Sequence, residues 1–337
     1  MPFRAPLTFL PSGSLGPVRF LLSLLLVLVC ASSSCPQQPS ASSIRVEVSR
    51  VNVGVIVTDA RGKFVEGLQR PDFHVFDDGK EQAITEFAPI EEPAQVLLLL
   101  EAGPAVYLLG STHLLVADAL LSGLAPGDKV AIVRYQDAAA GILGFTSDTA
   151  AARAALEQIQ FNLGLGELNL STSLNTVLDW LANTPGKKTI VLLSTGVDTS
   201  PPDSAAAVDS RLLTGDVRVL CVSLTGPLRS GKRGNKRVVQ ETQQAFDEAD
   251  TRLRAIAEAT GGRAFFPENP KALQETYRQV AQLVRNEYSL AFALPAADGA
   301  VHSIDVQVDS AEKSAKQPVP EYRIDHRRAY RAPKPEP

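Results

Sequence analysis

The feature that most constrains the fold is an unbroken apolar run, residues 96–100, that ends at Glu101. It is bounded by Pro93 and by Gly103-Pro104. An apolar run without alternation is typical of a central strand in a parallel sheet that is covered on both faces. Glu101 then lies at the carboxyl end of that strand, where open α/β sheets bind ligands. The run therefore predicts an α/β sheet and the edge of it that is most relevant to function.

Strand and helix patterns alternate from Gln95 to about Arg285. The strand candidates are 95–101, 129–135, 188–194, 217–223 and 263–267, and the helical stretches lie around 105–124, 149–160, 173–183, 203–213, 240–259 and 270–285. This alternation predicts a doubly wound, mainly parallel sheet of Rossmann-like type.

The segments on either side have the two-residue period of β-strands. Valines alternate from Val51 to Val57, an Asp-Gly turn follows at Asp78-Gly79, and about four strands fit into 44–93. Three more fit into 287–331. Because either half alone leaves an apolar face in water, we expect the two halves to form one seven-strand β-sandwich into which the α/β domain is inserted.

The first 34 residues have the form of a secretory leader. Arg4 and Arg19 precede an apolar run at 20–29, which small residues follow at 31–34. The predicted organisation is a signal peptide at 1–34, a linker at 35–43, the first half of the sandwich at 44–93, the α/β domain at 94–286, the second half at 287–331 and a disordered tail at 332–337. The protein is therefore expected to be exported, to an extracellular or periplasmic location.

Two ways of processing the leader remain open. Cleavage after Ala31 gives a secreted protein, whereas cleavage before Cys35 gives a lipoprotein whose only membrane contact is its lipid anchor. Residues 32–34 lack the aliphatic residue usual before a lipidated cysteine, which favours plain secretion. Without the leader, Cys221 is the one cysteine certain to remain in the folded part, so no internal disulfide framework is expected.

The charge balance argues against nucleic acid as a partner. The whole chain carries a net charge of −4, and loss of the two leader arginines leaves 31 basic against 37 acidic residues. The basic run at 229–237 contains no aromatic residue and is followed by acidic residues. We interpret it as a solvated, flexible loop.

Several sequence blocks resemble one known family. Phe64-Val65-Glu66-Gly67-Leu68, residues 72–80, residues 126–131 and residues 260–266 look like the von Willebrand factor A-related domain family named from acidobacteria. The resemblance covers nearly all of 44–330. It implies a secreted protein with a von Willebrand A fold and no defined reaction.

The resemblance also implies where a metal would bind. Adhesive members of the wider superfamily hold Mg²⁺ through an Asp-x-Ser-x-Ser loop after the first strand, a Thr in a second loop and an Asp after a later strand. Here the first loop is Glu101-x-Gly103-x-Ala105, Thr172 matches the Thr, and Thr195 stands in place of the later Asp. Mg²⁺ tolerates poor geometry badly, so we expect no cofactor and a degenerate site. These five residues are the predicted ligand face.

Two interpretations of Glu101 therefore compete. Glu101, Thr172 and Asp198 form a substitute set that holds Mg²⁺ and supports metal-dependent adhesion, or Glu101 is a solvated carboxylate and Pro104 simply begins the next helix. The first prediction is a non-catalytic protein that binds a protein partner or acts as a scaffold without metal. Metal-dependent adhesion is the alternative.

An enzymatic function has little support in the sequence. The four histidines, His74, His113, His302 and His326, fall in different elements, and each is interpreted as a surface or edge-strand residue. There is no P-loop, nucleophile elbow or dinucleotide glycine pattern. Cys221 lies among apolar residues, as a buried thiol does. No catalytic residue is predicted, and an uncharacterised hydrolase is the third interpretation because triads assemble in space.

Overall fold

The structure is a computed structural model that describes residues 50–90, 93–107, 109, 112–161, 166–229, 236–309 and 322–334. All of them belong to one compact unit, Val48–Pro337. The predicted leader, the linker, residues 44–49 of the first sandwich half and residues 230–235 of the basic run lie outside the described residues.

The described strands and helices alternate in the middle of the chain and are all strands at its two ends. The strands are β1 (Arg50–Thr58), β2 (Phe73–Asp77), β3 (Lys80–Gln82), β4 (Ile84–Ile90), β5 (Gln95–Glu101), β6 (Lys129–Tyr135), β7 (Ala139–Thr146), β8 (Lys188–Ser194), β9 (Val217–Ser223), β10 (Ala264–Phe265), β11 (Glu287–Ala293), β12 (Val301–Val308), β13 (Arg323–His326) and β14 (Ala329–Arg331). The helices are α1 (Pro104–Tyr107), α2 (Thr112–Gly123), α3 (Thr149–Glu157), α4 (Leu170–Leu181), α5 (Pro202–Thr214), α6 (Thr225–Arg229), α7 (Lys236–Ala259) and α8 (Pro270–Arg285), with a 3₁₀ turn at Arg70–Asp72.

The central sheet has the order β10-β9-β8-β5-β6-β7, and only β7 runs antiparallel to its neighbour. Strand β5 is its middle strand and explains the apolar run. Val96, Leu98 and Leu100 pack into the core under α2, α3 and α8, whereas Leu97 and Leu99 pack into the core under α4, α5 and α7. The continuous run therefore covers both faces of one strand, and the predicted doubly wound class is confirmed.

The flanking strands form two antiparallel sheets. Their orders are β13-β1-β11-β4 and β14-β12-β2-β3, so each sheet combines strands from before and after the central domain. Apolar side chains of both sheets meet in one core. The two segments thus share sheets and a core, as expected for an inserted α/β domain, but the sandwich has eight described strands and not seven.

Two strands were missed from the sequence. Strand β7 contains two glycines and two alanines, a composition depleted in strands, and it forms at the sheet edge. Strand β14 has only three residues. Helix α7 begins at Lys236, inside the basic run that was interpreted as a loop. The predicted domain boundaries stay predictions.

A buried ion pair joins the central domain to the sandwich. Arg263 follows α7, and its Nε donates to Asp325 Oδ2 of β13 at 3.0 Å, while Nη2 donates to Thr58 Oγ1 of β1 at 2.9 Å. Both charged side chains are at most 9% exposed. If the central domain and the sandwich moved apart, each buried charge would lose its partner and remain uncompensated. The ion pair therefore holds the central domain and the sandwich in one arrangement.

Candidate functional site

The carboxyl edge of the central sheet is built from the loops that follow β5, β6 and β8 and from the loop that precedes α4. The amide of Asn169 donates to the carbonyl oxygen of Gln136 at 2.7 Å, and the amide of Leu168 donates to Thr199 Oγ1 at 2.8 Å. The amide of Thr199 donates back to the carbonyl oxygen of Leu168 at 2.7 Å. These bonds hold the loops together as one surface, here called the carboxyl edge.

Glu101 ends β5 beneath this edge and is 1% exposed. Its Oε2 accepts hydrogen bonds from the Thr195 amide at 2.7 Å and from Thr195 Oγ1 at 2.8 Å. Ser194 Oγ donates to the same oxygen at 3.1 Å, and the Tyr135 hydroxyl also donates to it, at 3.2 Å. The interpretation of Glu101 as a solvated carboxylate is therefore wrong: it is a buried group whose Oε2 accepts from several protein donors, while Oε1 has one contact, at 3.1 Å, with the same Thr195 hydroxyl.

Burial is also what sets the protonation of Glu101. Removal from water raises the pKa of Glu101 above its usual range, and the hydrogen bonds from Thr195, Ser194 and Tyr135 oppose that rise without cancelling it. Burial, followed by the nearby carboxylate of Glu101, raises the pKa of the Tyr135 hydroxyl well above its normal value.

Asp198 faces a different set of donors. Its Oδ2 accepts from the amide of Ser171 at 3.2 Å and, through a short contact, from Ser171 Oγ, while its Oδ1 accepts from the Ser200 amide at 3.0 Å. Burial by itself raises the pKa of Asp198, but the bonds from Ser171 and Ser200 outweigh it and the pKa is lowered. Asp198 thus satisfies the first turn of α4, as a capping carboxylate does.

Glu101 shares no hydrogen-bond partner with the other two residues of the proposed substitute set, whereas Asp198 and Thr172 both bond to Ser200. Glu101 bonds to residues of β6 and β8, Asp198 bonds to Ser171 and Ser200, and the half-buried Thr172 is held by its amide, which donates to Ser200 Oγ at 3.1 Å. In the described part of the chain, no group of three or more His, Cys, Asp or Glu side chains converges at the carboxyl edge.

The predicted ligand face lies mostly below the surface. Gly103 is buried, and a Cβ there would lie 2.7 Å from Leu168 Cδ2, too close for a serine without displacing that side chain. Thr195 is fully buried. Ala105 belongs to the backbone of α1, but its side chain lies outside the described residues. Thr172 is the one member whose described side chain is partly exposed.

Other side chains form the exposed surface of the carboxyl edge. Tyr107, at the end of α1, is 51% exposed and is one of the large apolar or aromatic side chains left open to solvent. Asp137, Glu167 and Thr199, in the other loops of this edge, are exposed as well. The sequence interpretation missed Tyr107; the available signal was an aromatic residue just after the first strand loop.

Among the described side chains, neither the histidines nor Cys221 form a reactive site at the carboxyl edge. His326 is 2% exposed but lies in the edge strand β13, one of the two placements that were expected, and His74 and His302 lie beside carboxylates of the sandwich. The side chain of His113 lies outside the described residues. Burial raises the pKa of the Cys221 thiol far above its normal value, which suppresses thiolate chemistry.

Comparison with known proteins supports a von Willebrand A-like fold for the central domain. Residues 112–197 match the family model of the von Willebrand factor type A domain. A search of curated proteins finds no relative of significant similarity. The matched segment includes β6, β7 and β8 with α3 and α4, which are half of the central sheet and the helices between its strands.

Three solved structures are similar to this chain at low sequence identity. A von Willebrand factor type A protein from Catenulispora acidiphila is 14% identical over 81% of this chain and 76% of its own, with a TM-score of 0.47. An aerotolerance-related membrane protein from Bacteroides fragilis is 17% identical over 56% of this chain and 99% of its own, with a TM-score of 0.41. Proximal thread matrix protein 1 from the mussel byssus, with a zinc-occupied MIDAS motif, is 13% identical over 61% of this chain and 49% of its own, with a TM-score of 0.43.

Proposed function

We propose that this chain is an exported, non-catalytic protein that binds a protein partner through the carboxyl edge of its von Willebrand A-like domain, without a divalent cation. The observation that carries the proposal is the burial of Glu101, which is 1% exposed, together with the hydrogen bonding of its Oε2. Its Oε2 accepts from groups of Thr195, Ser194 and Tyr135 at 2.7 to 3.2 Å. A metal ion would have to displace these donors from a fully buried carboxylate.

The remaining positions of the metal loop support the same proposal. A serine in place of Gly103 would require the Leu168 side chain to move. The Thr195 hydroxyl already donates to Glu101. Asp198 already satisfies the amides of Ser171 and Ser200. For Mg²⁺ to bind through Glu101, Thr172 and Asp198, both carboxylates would have to exchange protein donors for the ion, which needs near-ideal octahedral geometry. We therefore propose that the loop at Glu101 is a degenerate metal-ion-dependent adhesion site, as in a member of the acidobacterial von Willebrand factor A-related family.

Partner binding is proposed for the exposed side chains of the carboxyl edge. Tyr107 projects from the carboxyl edge at 51% exposure, and tyrosine is a residue type enriched among the residues that dominate protein interfaces. Asp137 and Glu167 give the surrounding loops acidic character. A centre of exposed aromatic surface with a polar rim is how protein-binding patches are usually arranged.

Export is part of the proposal and rests on the leader pattern of residues 1–34, with a lipid anchor at Cys35 as the alternative to free secretion. None of the described helices contains a stretch long and apolar enough to cross a bilayer.

Tyr107→Ser is expected to weaken partner binding at least tenfold, because loss of a central interface aromatic costs about 1.4 kcal/mol or more. The measurement is capture of partners from the native cell envelope, with equal amounts of wild type and variant, in Mg²⁺ and in EDTA. Wild-type capture is expected to be the same in both buffers.

Trp180→Ser is the matched control. Trp180 is 47% exposed but lies near the other end of α4, about 15 Å along the helix from the carboxyl edge. Equal losses for Trp180→Ser and Tyr107→Ser would contradict binding through the carboxyl edge. Capture that disappears in EDTA would instead support metal-dependent adhesion.

A further inference from the structure

Three side chains of the sandwich direct their polar atoms to one place. Asp77 ends β2, Asp78 lies in the turn between β2 and β3, and His302 lies in β12. One ligand atom from each lies within 4.8 Å of the others. His302 Nδ1 is 2.8 Å from Asp78 Oδ2 and 4.0 Å from Asp77 Oδ1.

Asp77 contributes an unpaired buried oxygen to this cluster. The residue is 4% exposed, and its Oδ1 has no hydrogen-bond partner among the described residues. The adjacent Tyr330 hydroxyl is also buried and interacts with the Asp77 carboxyl, but not within ordinary hydrogen-bond geometry. An unpaired carboxylate oxygen is costly to bury. A cation at this position would compensate that cost, because the oxygen faces His302 and Asp78.

The imidazole of His302 is held in the orientation that a metal ligand needs. Its Nε2 lies 3.1 Å from Asp298 Oδ1, and its ring stacks on Tyr330 with centroids 5.3 Å apart at 19°. Nδ1 lies 2.8 Å from Asp78 Oδ2, which can only accept, so Nδ1 carries a proton there. A metal ion would replace that proton and use the Nδ1 lone pair, while the Nε2 proton stays donated to Asp298. Metal-bound histidines commonly donate their second ring N–H to a carboxylate in this way.

Asp78 is fixed from its far side. Its Oδ1 accepts from the Ser303 amide at 2.8 Å and from Ser303 Oγ at 2.9 Å, so Oδ2 is the oxygen left facing His302. Asp78 also has a positive φ of 47°, which turns its side chain out of the usual strand alternation. Two consecutive aspartates therefore reach the same histidine, which regular alternation would prevent.

The ligand set selects a class of metal. One imidazole nitrogen with carboxylate oxygens suits zinc and its transition-metal neighbours, whereas Mg²⁺ and Ca²⁺ prefer sets of oxygens alone. Tetrahedral zinc with bonds of about 2.0 Å places its ligand atoms about 3.3 Å apart. The observed separations of 2.8 Å and 4.0 Å from His302 Nδ1 bracket that distance.

We propose that Asp77, Asp78 and His302 bind one divalent transition-metal ion of the zinc type, with Asp298 orienting His302. The ion would connect the turn after β2 to β12, two strands paired in the second sheet but far apart along the chain. It would therefore stabilise the sandwich. This site is separate from the carboxyl edge and does not depend on the function proposed for that edge.

The test is calorimetric titration of Zn²⁺ into the full chain, with Mg²⁺ titrated in parallel. We expect the wild type to bind one equivalent of Zn²⁺, and Asp77→Asn and His302→Gln each to weaken the affinity for this ion at least tenfold. The melting temperature should rise with Zn²⁺ only in proteins that bind this equivalent. Asp298→Asn is expected to weaken it 10- to 100-fold, as loss of a carboxylate partner of a metal-bound histidine does. All variants keep Cys30 and Cys35, so any zinc uptake by these thiols is common to them and the difference between variants is the measured quantity.

His74→Gln is the matched control. His74 lies in β2 and also has two carboxylate neighbours, Glu81 at 2.7 Å and Asp309 at 3.8 Å. Glu81 approaches Nδ1 and Asp309 approaches Nε2, so one ion bound to either ring nitrogen could not reach both carboxylates. Its variant should keep the Zn²⁺ equivalent. Absence of a Zn²⁺ equivalent in the wild type would overturn the proposal. Binding of one Zn²⁺ equivalent by Asp77→Asn with unchanged affinity would also overturn it. Asp77→Asn is isosteric, so it keeps the proposal testable if His302→Gln does not fold.

Discussion

Replacing Glu287 by glutamine is expected to lower the free energy of unfolding by about 3–5 kcal/mol, the usual cost of breaking a buried ion pair. Glu287 begins β11, and its side chain is 8% exposed. It forms ion pairs with Arg218 of β9 and with Lys187 Nζ at 2.6 Å. The substitution keeps the shape of the side chain but leaves two nearly buried cations without their anion. Urea denaturation of wild type and variant at pH 7 measures the loss.

Glu275→Gln is the matched control for charge removal. Glu275 pairs with Arg278 at 2.6 Å on α8, with both side chains more than half exposed. Exposed pairs of this kind contribute about 0.5 kcal/mol or less. A similar loss for Glu275→Gln and Glu287→Gln would contradict a special role for the buried network.

The loss at Glu287 should also depend on pH. Burial lowers the pKa of Lys187, and Glu287 opposes that effect, so removal of Glu287 lowers the pKa further. Between that lowered pKa and the unfolded value of about 10.4 the folded variant binds fewer protons than the unfolded chain, and its stability rises with pH. The difference between variant and wild type is therefore expected to shrink from pH 7 to pH 10.

The second large effect is expected at the carboxyl edge: Glu101→Ala should cost about 3–4 kcal/mol. The alanine leaves a cavity, and it removes the acceptor of the Thr195 amide and of the Thr195 hydroxyl in a fully buried site. Buried donors without an acceptor cost about 1–3 kcal/mol each, and the cavity adds to that.

Glu101→Gln is the control for this prediction and also tests the protonation of Glu101. The amide carbonyl can take the place of Oε2 as acceptor, so the loss at pH 7 should be within about 1 kcal/mol. Because burial raises the pKa of Glu101, the folded wild type holds its proton more tightly than the unfolded chain. The stability of wild type relative to Glu101→Gln should then fall as the pH rises from about 4.3, the unfolded value, through the raised folded value. A relative stability that rises over this range would contradict the raised pKa.

The central strands were predictable because burial on both faces leaves a continuous apolar signal. Strand β5 was placed at 95–101 and β8 at 188–194, and both have these bounds in the structure. The antiparallel β7 was not predicted, since it lies at an edge and has an Ala- and Gly-rich sequence. Strand signals thus follow burial, and they fade where a strand is covered on one side only.

The state of Glu101 could not be read from its local sequence. Its burial depends on Tyr135 of β6 and on the residues that end β8, which reach it only when three parallel strands align. The metal-ligand cluster was missed for a similar reason: Asp78 and His302 are 224 positions apart. An Asp-Gly pair shows a turn in sequence, but the register of β2 against β12 decides which histidine meets it.

The central claim, that the carboxyl edge needs no divalent cation, is tested most directly by thermal unfolding in Mg²⁺, in Mn²⁺ and in chelator. The measurement uses the His302→Gln background, so that the sandwich cluster does not contribute, and compares it with the same protein carrying Thr172→Val, which removes only the hydroxyl that a metal would use. The account predicts the same melting temperature in all three buffers, within about 1 °C, for both proteins. A rise of several degrees in Mg²⁺ or Mn²⁺ that Thr172→Val abolishes would contradict it.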